Sequence, residues 1–298
     1  MKRYRVFGND FDTRANVLGI RIDDGWEGHI KEMWHKNKES VKRGLLLQYG
    51  FEDADQKLEN FVDLGPKPYS VLAYHNRFAE QARNAFVVGA YYPALTGACA
   101  LGERILNHLV LGLRDAFRGT PEYKKVYRKK SFDNWDLPIS TLEAWGVLVP
   151  KAVTAFETLR DVRNRRALHF NPSTDTKDRE YALDAVRSLN EIIAEQFGTS
   201  EPAPWFIAGA KGGVGFIRKE LEADPFLKLV YLPNALSVGP EHYLENGADG
   251  GWLVHARDDY EAEEIPDAEF VERFERATET RLAEMKKAQE EATDGGGP

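Results

Sequence analysis

Between Tyr69 and Phe197 the apolar side chains recur at three- and four-residue steps, the period of helices that bury one face. Ser70 stands where it can cap a first helix, whose stripe is Leu72, Phe78, Ala79, Ala82, Phe86 and Val87. Gly89 and Pro93 mark a break. A second helix is predicted over residues 94–117, with Ala98, Leu101, Ile105, Leu106, Leu109 and Leu113 facing a core. Its first half is small (Ala94, Gly97, Ala100, Gly102), which lets a neighbouring backbone approach closely. A polar, basic linker follows over residues 121–140. A third helix, residues 150–168, opens on Pro150, since proline is tolerated in a first turn. It carries Val153, Phe156, Leu159 and Val162, and Pro172 stops it. A fourth, residues 177–197, has Ala182, Ala185, Leu189, Ile192 and Ile193 as its stripe and Gly198 as its stop. Together the four predict an antiparallel helical bundle.

The flanks are mixed. Residues 17–22 have strand character, and residues 28–41 have helical spacing at Ile30, Met33 and Trp34. Gly65-Pro-Lys-Pro68 reads as a turn, because each proline forbids helix through it. After Pro202 the texture is glycine-rich and strand-like at residues 226–232, 235–238 and 252–255, and a last helix is predicted over 267–292. The expectation is an α+β protein with a mixed segment at 1–66, a helical bundle at 67–200 and a strand-containing segment at 201–298 ending in an acidic helix. The two flanks can pair with one another.

Charge changes this picture once it is resolved along the chain. Forty-eight acidic and 40 basic side chains give −8 overall, which argues against a nucleic-acid partner. Residues 258–298 alone carry −9, leaving +1 on the other 257 residues. One cysteine, Cys99, excludes an intrachain disulfide and a cysteine-rich zinc site. The seven histidines show no metal-ligand spacing, so no metal and no cofactor is expected. No apolar run has the length of a signal peptide or membrane span, and the sequence reads as cytoplasmic without a membrane role. Gly209-Ala-Lys-Gly-Gly-Val-Gly lacks the Lys-Ser/Thr that a phosphate-binding loop needs, and reads as a tight turn.

The segment richest in chemistry is Leu159-Arg-Asp-Val-Arg-Asn-Arg-Arg-Ala-Leu-His-Phe-Asn-Pro172, where Arg160, Arg163, Arg165 and Arg166 precede His169. A histidine there is a candidate acid or base near neutral pH. On an ideal helix Arg163 and His169 lie about 120° apart, so they share a face only if the helix unwinds before His169, as Pro172 favours. The plainer reading is a solvated basic helix end. Residues 114–130 add seven basic side chains, Lys129 and Lys130 among them, against Asp115 and Glu122. Such a run is a solvated surface or, beside Arg160, Arg165 and Arg166, a track for an RNA backbone. Trp135 and Trp145 are placed to stack on bases, although buried packing is the plainer reading of both.

Arg163-Asn164-Arg-Arg-Ala-Leu-His169 matches the signature of HEPN domains: an arginine, a polar residue, then a histidine after four to six intervening residues. Residues 89–103, from Gly89-Ala-Tyr-Tyr-Pro to Glu103, resemble that family's second helix, and residues 181–197 its closing helix. The resemblance covers about residues 68–200. It implies a metal-independent endoribonuclease, a toxin or antiviral-defence effector, whose Arg–His pairs meet across a homodimer interface. In that reading His169 is the general acid or base, Arg163 holds the scissile phosphate, and Asn164 orients the phosphate or the imidazole. RNA is the partner, and an inhibitory or antitoxin protein is a further one. Glu103 is either a supporting site residue or a structural ion-pair partner of the motif arginine. The other function class is a non-catalytic dimerisation or nucleotide-binding module.

Overall fold

The computed structural model describes residues 1–8, 11–71, 73–167, 177–199, 203–211, 214–248, 251–255 and 263–294, without the side chains of 73, 74, 166, 167 and 292–294. The chain is mostly helical with small antiparallel sheets. It divides into two compact units, Gly8–Gly198 and Met1–Phe7 with Thr199–Pro298. No helix among the described residues is long and apolar enough to cross a membrane.

The first unit begins with α1 (Arg14–Gly19), α2 (Gly28–Tyr49) and α3 (Ala54–Leu64). The strand character of residues 17–22 is overridden, for α1 packs its buried Ala15 beside α2 and α3. These helices belong with the bundle rather than forming a segment apart. Asn60 on α3, wholly buried, shows why. Its Nδ2 donates to the carbonyls of Phe86 (3.1 Å) and Val87 (3.3 Å), and its Oδ1 accepts from Arg179 Nε at 2.9 Å. It thereby caps the end of one bundle helix and fastens the start of another.

The bundle comprises α4 (Ala73–Val87), α5 (Tyr91–Leu113), α8 (Pro150–Val162) and α9 (Asp178–Phe197). Between α5 and α8 lie the short helices α6 (Tyr123–Val126) and α7 (Asp136–Ala144). Helix α5 packs against α4 and α9, and α9 against α8. Gly89, at φ +82°, ends α4 in the left-handed region that glycine enters freely. Pro93 lies inside the first turn of α5 instead of before it, where its missing N–H removes no helical bond. Gly198 stops α9 in extended rather than left-handed backbone, and a Cβ there would run into the Ala194 carbonyl oxygen. The linker also differs from its polar reading: Phe132 and Trp135 within it are buried.

On the α4–α5 pair, His75 is 7% exposed and its Nδ1 has no hydrogen-bond partner among the described residues. Burial, with the charges of His108 and Arg104 on α5, pushes its pKa down to about 4. A histidine depressed from about 6.5 contributes stability above pH 6.5 that is lost as pH falls toward 4. Between pH 8 and pH 5, urea unfolding should therefore show the wild type losing about 2 kcal/mol more stability than His75→Gln. Equal pH slopes for the two proteins would refute this.

In the second unit β1 (Arg3–Val6) lies between β2 (Gly215–Phe216) and β3 (Ala235–Val238), antiparallel to both. A hairpin, β4 (Tyr243–Asn246) with β5 (Trp252–His255), makes a second sheet. Residues 226–232, strand-like in sequence, instead open as α10 (Pro225–Val230). Asp224 Oδ1 accepts from the N–H groups of Phe226 (2.9 Å) and Leu227 (3.0 Å), and Pro225 fills the first turn. Helix α11 (Asp267–Asp294) buries Phe270, Val271 and Phe274 against Ile207, Phe216 and Val238. Arg3, 1% exposed, donates to Asp267 Oδ1 at 2.7 Å, Glu264 Oε1 at 2.5 Å and the Ile265 carbonyl at 2.6 Å. The first strand is thus bound to the start of the last helix.

Candidate active site

Helix α8 does not run on as an α-helix. From Arg163 to Ala167 the chain forms a π-helical turn, whose i→i+5 bonding widens the helix and shifts the phase of the side chains along it. Such turns recur at functional sites. His169 lies outside the described residues, as does the side chain of Arg166.

Glu103 on α5 reaches the motif arginine. Its Oε2 lies 2.9 Å from Arg163 Nη2 and accepts the Trp135 Nε1–H at 3.1 Å. The Arg163 guanidinium sits over the Trp135 ring, 5.6 Å from its centroid, and Nη1 donates to Asn164 Oδ1 at 3.2 Å. One carboxylate, one indole and one amide thus hold the guanidinium, which remains 18% exposed. Of the two alternatives for Glu103, the ion pair with Arg163 is the contact observed.

The local sequence explains this arrangement. Trp135 is buried because α5 makes room for it at Gly102, where a Cβ would come 2.8 Å from the ring and 2.7 Å from Leu159 Cδ2. Asn107, one turn past Glu103, donates to the Glu103 carbonyl (2.9 Å) and accepts the Phe132 N–H (2.8 Å), pinning the segment that leads into Trp135. Gly102→Ala should destabilise the protein by about 1–3 kcal/mol through overpacking. Thermal unfolding checks this, and an unchanged Tm would show that the indole has room to move. Cys99 lies one turn before Glu103, and burial raises its thiol pKa to about 12, which leaves it inert.

No protein-family model, curated protein or solved structure matches this chain. What the side chains can do must be read from their geometry.

Arg160 and Arg165 are not free cations. Arg160 Nη1 pairs with Asp136 at 2.6 Å and its Nη2 with Asp161 at 3.1 Å, while Arg165 pairs with Asp161 at 3.4 Å. Lys129 and Lys130 are exposed, just upstream of the segment pinned by Asn107. The residues brought together are Glu103, Trp135, Arg163 and Asn164. Sequence reasoning missed Asp136 and Asp161 as partners and the Trp135 bond to Glu103. The bulky indole in a basic linker was the available signal, and it pointed to burial before stacking, as observed, but not to the carboxylate it meets.

Proposed function

We propose that the chain is a metal-independent endoribonuclease of HEPN type, working as a homodimer in which the Arg163 and His169 of two protomers share one RNA-cleaving site. The observation that carries the reading is the Arg163 guanidinium, fixed by Glu103, Trp135 and Asn164 at a π-helical turn six residues before a histidine. A guanidinium held in place by other groups is a preorganised donor for a phosphate, whose charge grows in the transition state.

RNA brings its own nucleophile. The 2′-oxygen attacks the adjacent phosphorus as His169 takes the 2′-OH proton, and the P–O5′ bond breaks. The leaving 5′-oxygen takes a proton from the second imidazole of the pair. The products are a 2′,3′-cyclic phosphate and a 5′-hydroxyl. Proton transfer of this kind contributes about 10²–10⁴-fold. Arg163 offsets the phosphorane-like charge, Asn164 orients it, and Glu103 positions Arg163. Arg160, Arg165, Arg166, Lys129 and Lys130 make the wider RNA track, with the Asp136 and Asp161 pairs yielding to phosphates as RNA arrives. The test is incubation with transfer RNA and total RNA in EDTA, with mapping of the ends. Cyclic phosphate ends support the assignment, and intact RNA overturns it.

A second reading, a non-catalytic dimerisation or nucleotide-binding module, is favoured by one feature. Arg160, Arg163 and Arg165 each already have a carboxylate partner within the chain. It predicts a dimer that leaves RNA intact.

A further inference from the structure

In the unit formed by residues 1–7 and 199–298, the β4–β5 hairpin has an open outer edge. Its strand β5 reads Trp252-Leu-Val-His255, with no Lys, Arg, Asp or Glu, no proline and no bulge. Trp252, Leu253 and Val254 are 45%, 53% and 43% exposed, so apolar surface is open on both faces of the strand. Proteins blunt such edges with lysine, proline or a bulge, because an open edge is a template for another strand. Among the described residues, no backbone group of 252–255 bonds outside the hairpin.

The hairpin register fixes which backbone groups face outward. Gly247 donates its N–H to the Gly251 carbonyl at 2.7 Å, and bonded and non-bonded pairs alternate along the hairpin from there. Leu253 and His255 therefore bond to Glu245 and Tyr243, while the N–H and C=O groups of Trp252 and Val254 point away from β4. The side chains alternate too, Trp252 and Val254 on one face and Leu253 and His255 on the other. Phe7 stacks on Trp252 at 4.8 Å, and the Tyr243 and His255 rings stack at 4.3 Å, so each face is braced by an aromatic contact. An edge already held in shape loses little freedom when a strand joins it.

We propose that β5 pairs antiparallel with β5 of a second copy of this chain, Leu253 lying opposite Leu253 of the partner subunit. Trp252 then stands opposite the partner's Val254, and both such pairs exchange the N–H···O bonds that their outward groups offer. Aromatic and β-branched side chains are favourable cross-strand neighbours. At the strand's end Gly251 lies opposite the partner's His255 and leaves room for the imidazole. A register shifted by one residue sets outward groups against inward ones. A shift of two sets Leu253 opposite Gly251 or His255 of the partner subunit and loses the apolar match. A strand without charge has no means of selecting a charged partner, whereas its own copy matches it pair for pair about a two-fold axis. The result is one sheet running β4–β5–β5–β4 across two chains. The inference depends neither on cleavage at Arg163 nor on the dimer proposed for that site.

The test uses the full chain. Leu253 and its mate form a non-hydrogen-bonded pair with Cα atoms about 4.5 Å apart, within the span of a disulfide. Under mild oxidation Leu253→Cys should give a disulfide-linked dimer, faster than Trp252→Cys or Val254→Cys, and the wild type should give none because Cys99 is buried. Leu253→Lys sets like charges opposite each other, and in sedimentation equilibrium it should weaken association through this edge about tenfold or more. The side chain is half exposed, so this variant should keep the wild-type Tm, which separates lost association from lost folding. Wild-type assemblies larger than a dimer that Leu253→Lys reduces to dimers support the edge as one of two interfaces. Unchanged association in Leu253→Lys overturns the proposal and assigns any dimer to another face. So does a wild type that stays monomeric at high micromolar concentration, or faster cross-linking at position 252 or 254 than at 253.

Discussion

Alanine at His169 should leave RNA cleavage about 10²–10⁴-fold below wild type while the protein stays folded. This is the largest effect expected of any single substitution in the chain, because the proposed reaction assigns proton transfer to this imidazole. Alanine at Arg163 should lower cleavage by about 10²–10³-fold, the scale of removing one donor to a developing anion. The two variants differ in a second readout. Arg163 is held by Glu103 and Trp135, so its loss leaves a carboxylate at the edge of the core without its cation, and the Tm should fall. Arg163→Lys restores the charge without the planar fork and should recover stability more than activity. Undiminished cleavage by purified His169→Ala would remove the catalytic assignment, and equal activity in Arg163→Lys would remove the role of the fork.

The largest loss of stability is expected at Trp135, which is 1% exposed. Truncation to alanine should cost about 3–5 kcal/mol. For a unit of this size that lowers Tm by about 6–20 °C. The indole fills the space left open at Gly102 and Leu159, lies beneath Arg163 and donates to Glu103. Phenylalanine keeps most of the buried ring and removes only the N–H, so Trp135→Phe should retain most of the stability. Comparing cleavage in the two variants then separates packing from orientation. If Trp135→Phe cleaves as well as wild type, the Glu103–Trp135 hydrogen bond has no part in positioning Arg163. A Tm shift below about 2 °C for Trp135→Ala would contradict the packing described.

The bundle helices were legible because their apolar periods are long and their stops are chemical: Pro150 at a first turn, Gly89 and Gly198 at ends. Residues 226–232 misled because Leu-Lys-Leu-Val-Tyr-Leu alternates as a strand does, while the decisive signal is the Asp224-Pro225 start just before it. Residues 17–22 misled for a similar reason, since tertiary packing of α1 outweighs β propensity in so short a run. Arg163, Asn164 and Glu103 were visible as a motif and a carboxylate in an apolar helix. The bond from Trp135 to Glu103 spans 32 positions and leaves no local trace. The same holds for Asp136, which meets Arg160 only because α7 and α8 pack together.

The placement of β1 in the middle of its sheet sets an order on how the chain is made. Its partners β2 and β3 leave the ribosome roughly 200 residues after it, so the strand waits for them while the helical unit is made. The helical unit, whose contacts fall within residues 8–198, can fold while synthesis continues. The sheet can close only once residues 235–238 have been made, and the long loop adds little entropy beyond that of a shorter one. Premature termination would release a chain with a finished bundle and an unpaired Arg3–Val6 segment, available to pair with other exposed strands.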